Sequence, residues 1–240
     1  MNRSFKYGDG FFETIRIVDR KIPLLKYHQE RVLRSFKILN YDHDQNFVEA
    51  SFDILLENAE DGLNRGRITY FRAGEGTYAP LMNRVEIHTE TFPILEHSKP
   101  IFELDHLSKD ALLGLIEKQI PTGFQIYRDN YKSRSSYSNI KSTSAMLYVL
   151  AAQATHEYGE GIILNDQGNI IETSFSNIYC VRDNIIYTPP ISDGCVEGVY
   201  RAYLMDHFEV VERSFDEDFF NAADMVFATN ALKGIRCLAI

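Results

Sequence analysis

The sequence predicts a two-lobed α/β (α+β) protein, with a small α/β lobe at residues 1–118 and a larger β-rich lobe at residues 119–240. Short runs of aromatic and β-branched residues predict strands in both halves. Helical spacing of apolar residues is concentrated in the first half. The pattern loosens between Pro93 and Pro121, where we place the lobe boundary. With 240 residues, 45% of them hydrophobic, the chain can bury a substantial core.

The first lobe is predicted to contain a strand, two helices and two further strands. In chain order these elements cover residues 11–18, 27–39, 46–58, 66–74 and 83–92. Asp19-Arg20-Lys21 predicts a turn after the first strand, giving a hairpin with the IPLL string. The two later strands are joined by a glycine-rich loop through Gly74 and Gly76.

The second lobe is predicted to be mostly strand. A helix at residues 109–120 precedes it, a buried helix is predicted at 143–152, and a further helix starts near Tyr200. The strands are predicted at residues 122–129, 161–166, 169–175, 177–182 and 184–189.

Charge and cysteine content exclude several classes of partner. The net charge of -9 makes nucleic acid or an anionic membrane an unlikely main partner, so we expect a small-molecule ligand held in a local basic pocket. Three widely spaced cysteines match neither a disulfide framework nor a metal site. Without a signal peptide or a membrane-spanning run, the chain is expected to be cytoplasmic.

Lys141 is the first candidate for covalent chemistry. It precedes Ser142-Thr143-Ser144 and an apolar run, which predicts a position just before a helix N-terminus. The positive helix end and partial burial both favour the neutral amine, which is the nucleophilic form. From position alone, an exposed surface lysine explains the pattern better.

Glu172 and the turn after it form a second candidate group. A carboxylate there could pair with a protonated pyridine nitrogen, and Ser174 and Ser176 supply hydroxyl groups beside it. An ordinary strand end with turn-forming residues is the simpler interpretation.

An anion site is suggested by Gly198, which precedes a predicted helix whose amides could cradle a phosphate. Arg31, on the first helix, could add a guanidinium, although a solvated helix face explains it equally well. Motifs of competing chemistries are missing: the sequence contains no GxGxxG, P-loop, GxSxG, HExxH or CxxC string.

Six strings stand in one order and spacing that resembles the class IV, pyridoxal-phosphate-dependent aminotransferase family (fold type IV). They are YGDGFFETIRI, YHQERVLRS, Lys141 before an apolar run, GIILNDQGNIIETSFSNIYCV, YTPPISDGCVEGVYR and ATNALKGI. The resemblance implies that Lys141 binds pyridoxal 5'-phosphate covalently and that Glu172 faces its pyridine nitrogen. It further implies phosphate contacts from Arg31 and the Val199 and Tyr200 amides, and packing of Val196 against the ring.

Substrate-side residues separate lyases from transaminases within this family. Thr14 stands where branched-chain transaminases usually have glycine, and it resembles the threonine that assists pyruvate loss in aminodeoxychorismate lyases. Asn230 resembles the substrate-binding asparagine of those lyases. Arg72, and less strongly Arg16, are candidates for a substrate carboxylate. The resemblance therefore implies a lyase in folate synthesis that converts 4-amino-4-deoxychorismate to 4-aminobenzoate and pyruvate.

Two alternatives stay open. A transaminase acting on D-amino or branched-chain amino acids shares the cofactor machinery. The third hypothesis is a cofactor-free homologue that acts as a binding protein. Two departures from the family motivate it: only six residues precede Tyr7, where the family has a further strand, and Tyr200 replaces the usual threonine of the phosphate turn. The family resemblance also implies a homodimer.

Overall fold

The computed structural model of the chain describes residues 2–42, 44–95 and 101–239. The chain folds as two units, residues 1–98 with 140–145 and residues 99–139 with 146–240. The predicted α/β class is confirmed. The division between the units falls earlier in the chain than the boundary predicted at 118/119. In addition, Ile140–Ala145 joins the first unit by pairing with its first strand.

The first unit is built on an antiparallel sheet in the order β1-β2-β3. Its strands are β1 (Gly10–Val18), β2 (Leu63–Arg72) and β3 (Val85–Pro93), and its helices are α1 (Arg3–Tyr7), α2 (Leu25–Leu39) and α3 (Gln45–Glu57). Strand side chains alternate between faces. Phe11, Ile15 and Ile17 of β1 therefore point into one core with Val32 and Phe36 of α2. The opposite, outer face carries Phe12, Thr14 and Arg16.

A two-residue turn, Asp19-Arg20, follows β1. Asp19 and Arg20 both have positive φ, 47° and 59°, as a two-residue hairpin turn requires. Only Val18 and Lys21 pair across it, because α2 begins at Leu25 and leaves no room for a second strand. The predicted hairpin is therefore limited to one pair of residues, and β1 instead pairs along its whole length with β2.

The second unit is dominated by one mixed sheet. Its main path runs β11-β10-β7-β6-β5-β4, with β8 beside β7 and β9 beside β8. The strands are β4 (Phe124–Lys132), β5 (Glu160–Asn165), β6 (Ile170–Thr173), β7 (Asn177–Arg182), β8 (Ile185–Thr188), β9 (Val210–Glu212), β10 (Met225–Asn230) and β11 (Gly234–Leu238). The helices are α4 (Lys109–Glu117), α5 (Met146–Thr155), α6 (Val199–His207) and α7 (Glu217–Asn221).

Helix α5 differs from its prediction in two ways. It begins at Met146 rather than Thr143, because the residues before it pair with β1. It is also buried on one side only: Ala151 and Thr155 are buried, whereas Met146 and Val149 are 69% and 58% exposed. Elements α1, β9, α7, β10 and β11 were not predicted; most are only three to six residues long, too short for a clear periodic pattern.

No helix in the described part of the chain has the length and apolarity needed to cross a membrane. Cys180, Cys195 and Cys237 are buried free thiols. Within residues 2–42, 44–95 and 101–239, no group of three or more histidine, cysteine or carboxylate side chains is arranged to hold a metal ion.

Candidate active site

Lys141 lies on a segment that is fixed against the start of β1. The Phe12 amide donates to the Lys141 carbonyl (3.0 Å), and the Thr143 amide donates to the Gly10 carbonyl (2.9 Å). Gly8 permits this close approach, because a Cβ at that position would lie 2.0 Å from the Ser144 hydroxyl oxygen. The Lys141 Nζ lies 5.0 Å from the centroid of the Phe12 ring. The amine therefore stands by the outer face of β1.

The outer face of β1 also carries two predicted substrate residues, Thr14 and Arg16. Residues directly opposite in the antiparallel register share a face, so Arg67 lies beside Thr14 and Arg65 lies beside Arg16. The Arg67 guanidinium carbon is 3.8 Å from the Phe12 ring centroid. Arg65 and Arg67 were missed from the sequence. Their two-residue spacing within a strand was the signal that could have revealed them.

Arg31 is held on the inner face of β1 by Glu13. Its Nε and Nη2 donate to the two Glu13 carboxylate oxygens at 2.8 and 2.5 Å, and His28 Nδ1 lies 2.5 Å from Glu13 Oε2. No hydrogen bond within the described residues uses Arg31 Nη1. That nitrogen is the one with which Arg31 could contact a phosphate, as the sequence predicts.

Burial and charge act in opposite directions on this cluster. Burial raises the pKa of Glu13, but Arg31 and His28 lower it more, and the net pKa falls from 4.5 to about 2. Burial lowers the pKa of His28, against the opposing effect of Glu13. The charges of Arg31 and then of Lys141 lower the His28 pKa further. We infer an ionised Glu13, a charged Arg31 and a neutral His28 at pH 7.

This cluster predicts a specific loss of stability in acid. Because the folded-state pKa of Glu13 is depressed, its contribution is fully present above pH 4.5 and is lost as pH falls towards about 2. The Glu13→Gln variant should be less stable than the wild type at pH 6, and the difference should shrink as the pH falls below 4.5. Urea unfolding at a series of pH values measures this. A difference that is constant with pH would contradict the pKa assignment.

Glu172, on β6 of the second unit, is the centre of a buried polar group. Its Oε1 accepts from Lys132 Nζ (2.6 Å) and from the Tyr148 hydroxyl (2.7 Å), and its Oε2 accepts from the Val196 amide (2.9 Å). Lys132 also donates to the Tyr148 oxygen at 2.6 Å. Burial, and next the charge of Glu172, raise the pKa of Tyr148 well above 10, so the hydroxyl stays a donor.

Comparison with known proteins identifies the family. The family model for class IV amino-transferases matches residues 10–239. The chain belongs to this family. The D-alanine aminotransferase of Staphylococcus epidermidis is 26% identical over 238 residues, which cover 95% of this chain and 78% of that protein. Members of the family use pyridoxal phosphate.

Solved structures of family members share the fold. The 4-amino-4-deoxychorismate lyase of Pseudomonas aeruginosa superposes with a TM-score of 0.77 at 21% identity, covering 99% of this chain and 84% of that one. The branched-chain aminotransferase of Thermoproteus uzoniensis gives the same TM-score, 0.77, at 21% identity, with 99% and 79% coverage. Both similarities concern the fold alone.

The residues of this member of the class IV amino-transferase family fit the cofactor of the family. A carboxylate offers about four lone-pair sites, and three of those on Glu172 are used, which leaves one on Oε2 for a pyridinium N–H. Helix α6 starts after Gly198 without a side-chain cap, so the Val199 and Tyr200 amides have no partner within the helix. A Cβ on Gly198 would lie 1.8 Å from Asn177 Oδ1, so the turn requires glycine.

The remaining predicted residues of the second unit form a hydrogen-bonded network. Ser174 Oγ accepts from the Gly161 amide (3.2 Å). Ser176 Oγ accepts from Asn230 Nδ2 (3.0 Å) and from Arg236 Nη2 (2.8 Å). Asn230 Oδ1 closes the turn before β11 by accepting two backbone amides. Both serine hydroxyls still have a hydrogen to donate, and their cofactor roles, like the substrate role of Asn230, stay predictions.

Arg72 is 8% exposed and makes several hydrogen bonds inside the first unit. Its Nε donates to Asp9 (3.2 Å), its Nη2 to the Leu39 carbonyl (2.9 Å), and its Nη1 to the Asn83 side chain. The guanidinium also lies over the Tyr41 ring. These contacts join β2 to the end of α2. Binding of a substrate carboxylate by Arg72 stays a prediction, and it would require Arg72 to exchange one of these bonds.

Proposed function

We propose that this chain is an aminodeoxychorismate lyase, which converts 4-amino-4-deoxychorismate to 4-aminobenzoate and pyruvate. The observation that carries the proposal is the position of Thr14. It lies on the same face of β1 as Phe12, the residue by whose ring the Lys141 amine stands. Residues two apart along a strand are about 7 Å apart, so the Thr14 hydroxyl is close enough to Phe12 to contact a substrate that reaches the Lys141 amine.

The chemistry requires a base for the ring proton and a donor for the leaving group. Bound pyridoxal phosphate supplies an electron sink conjugated to the substrate amino group. Glu172 keeps that sink effective by pairing with the pyridine nitrogen. Lys141 would hold the cofactor, and its free amine would take the ring proton. As the ring proton is removed, the bond between the ring carbon and the enolpyruvyl oxygen breaks and the ring becomes aromatic. Thr14 donates a hydrogen bond to the departing oxygen, and the released enolpyruvate takes up a proton at its methylene carbon to give pyruvate.

A substrate assay tests this proposal. With cofactor present, 4-amino-4-deoxychorismate should yield 4-aminobenzoate and pyruvate in equal amounts without any added 2-oxo acid. Turnover that appears only with an amino donor and 2-oxoglutarate would instead establish a transaminase. A panel of D- and L-amino acids belongs in the same experiment.

The Thr14→Gly variant tests the role of the hydroxyl. We expect product formation to slow roughly 10- to 100-fold, with cofactor affinity changed less than about threefold, because Thr14 acts on the leaving group. Thr14→Ser, which keeps the hydroxyl, should recover most of the rate. Equal losses of turnover and of cofactor binding in Thr14→Gly would remove Thr14 from the mechanism.

The second candidate is a transaminase acting on D-amino or branched-chain amino acids. It is favoured by the relatives, because D-alanine aminotransferases and the probable branched-chain-amino-acid aminotransferase of Rickettsia bellii match most of the chain at 24–27% identity. The same cofactor residues serve both reactions. We further propose, from the family resemblance, that the protein acts as a homodimer. The exposed apolar side chains of α5 are compatible with a covered surface.

A further inference from the structure

The outer face of the sheet in the first unit is strongly basic. The strand register places several rows of residues on this face, and three of them adjoin Lys141 and the predicted substrate residues, with one residue from each strand in every row. These three rows are Phe12–Thr69–His88, Thr14–Arg67–Glu90 and Arg16–Arg65–Phe92. We name the surface formed by Arg16, Arg65 and Arg67 the basic face. With Lys141 beside Phe12, four cationic side chains share this face with two carboxylates of the described strands, Glu86 and Glu90, although the whole chain carries a net charge of -9.

Two arginines of the basic face have donors to spare. Each guanidinium carries five N–H donors. Arg67 uses one, from Nε to the Thr69 hydroxyl at a long 3.4 Å, and packs on the Phe12 ring. Arg65 makes no hydrogen bond or ion pair within residues 2–42, 44–95 and 101–239. Glu90 stands opposite Arg67 in the register, but no ion pair joins the two within the described chain.

The electrostatics of this face favour an anion. Partial burial lowers the pKa of Arg67, the charge of Glu90 opposes this, and the charge of the neighbouring Arg65 lowers the pKa by less than Glu90 raises it. Like charges on adjacent positions of a sheet face repel each other and cost folding free energy. A bound carboxylate removes this repulsion and accepts the spare donors, since guanidinium and carboxylate match in planar, bidentate geometry.

We propose that Arg65 and Arg67 bind the carboxylates of a substrate that carries two of them, with its amino group directed to Lys141. This inference rests on the proposed function and specifies which residues select its dicarboxylate substrate. The two Cα atoms are about 7 Å apart along β2, a spacing that suits two carboxylates attached to one substituted six-membered ring. An amino acid with a single carboxylate, such as alanine, would leave one of the two guanidinium groups without an acceptor.

Binding of a non-reacting probe tests the basic face directly. Isophthalate has two carboxylates on one ring and benzoate has one. Titration calorimetry on the cofactor-saturated protein should give isophthalate an affinity roughly tenfold or more above that of benzoate. Arg65→Met and Arg67→Met should each abolish the difference, and Arg67→Lys should retain part of it. Equal wild-type affinities for the two probes, or unchanged preference in both variants, would overturn the proposal.

The matched control is Arg84→Met, which removes an exposed arginine of the same unit whose guanidinium lies 3.4 Å from Glu86. It should keep the isophthalate preference. The folding of each variant is checked by thermal unfolding. Arg65→Met should leave the melting temperature unchanged or raised, because it removes the repulsion of Arg67. Arg67→Met should lower it only slightly, because the variant also loses the contact with the Phe12 ring and the attraction of Glu90. A large fall would assign them a structural role and contradict the proposal.

Kinetics separates this inference from the proposed function. In the variants, the KM for 4-amino-4-deoxychorismate should rise about 10- to 100-fold, with a smaller change in kcat. If the wild type makes no 4-aminobenzoate, the lyase proposal fails, and the isophthalate titration still decides whether the basic face selects dicarboxylates. If the wild type does turn over and both variants keep its KM, only the proposal for Arg65 and Arg67 fails.

Discussion

Replacing Lys141 by alanine is expected to abolish covalent attachment of pyridoxal phosphate and to lower turnover by about three orders of magnitude or more. The wild-type protein, saturated with cofactor, should show the visible-edge absorption of the lysine-bound form. Borohydride should fix the cofactor to the peptide that contains Lys141, and mass spectrometry of the digest identifies it. The variant should show neither signal. If the wild type itself shows neither the absorption nor the labelled peptide, the result would instead support a cofactor-free homologue.

Lys37→Ala is the control for this experiment, because Lys37 is an exposed lysine of the same unit, near the end of α2. It should retain the absorption and the labelled peptide. The outcome that contradicts the assignment is cofactor fixed to another lysine in Lys141→Ala, above all to Lys132.

Lys132 is a second, partly buried lysine that could bind the cofactor covalently. Its contact with Glu172 argues against that role. The pyridine nitrogen and the aldehyde carbon of the cofactor stand opposite each other across the ring. If Glu172 pairs with the nitrogen as proposed, an amine held 2.6 Å from that carboxylate cannot at the same time bond the aldehyde carbon. Lys132 is therefore a counter-ion in this arrangement and not an anchor.

Local patterns explain which parts of the site were predictable. Lys141, Glu172 and Gly198 occupy places that strand ends, polar turns and an apolar run mark in the sequence itself. Lys132 and Tyr148 carry no such signal. Their contact depends on the parallel pairing of β4 with β5 and on the packing of α5 against both strands, which are non-local.

The position of α5 illustrates the same limit. Helix propensity and the serine-rich string before it favour a start at Thr143. The tertiary pairing of Thr143 with Gly10 of β1 takes those residues out of the helix. The basic face is an intermediate case. Alternation within β2 predicts that Arg65 and Arg67 share a face, but only the register with β1 shows that Thr14 and Arg16 lie beside them.

Replacing Lys132 by methionine should cause the largest loss of stability of any change considered for this protein. The Lys132 and Glu172 side chains are 11% and 3% exposed, so the methionine would leave a buried carboxylate without a cation. Breaking a buried ion pair in this way costs about 3–5 kcal/mol. Urea unfolding of the cofactor-free protein measures the loss. Lys109→Met, which removes a lysine bonded to the Asn184 carbonyl at the surface, should change stability by less than about 1 kcal/mol.

A double variant shows whether the loss acts through Glu172. Glu172→Gln removes the charge that Lys132 balances, so Lys132→Met should cost much less in that background, with a coupling of about 2 kcal/mol or more. Additive losses would mean that Lys132 stabilises the fold by packing alone.

Cofactor binding should offset the defect, because a pyridinium brings its own positive charge to Glu172. The Lys132→Met protein is therefore expected to recover more stability on addition of pyridoxal phosphate than the wild type does at the same concentration. With the cofactor bound as proposed, the wild-type carboxylate would serve two cations at once, Lys132 and the pyridinium. By linkage, removing Lys132 then raises the affinity of the folded protein for the cofactor. A lower affinity in Lys132→Met would mean instead that Lys132 orients Glu172 for the nitrogen, and that this orientation outweighs the competition between the two cations.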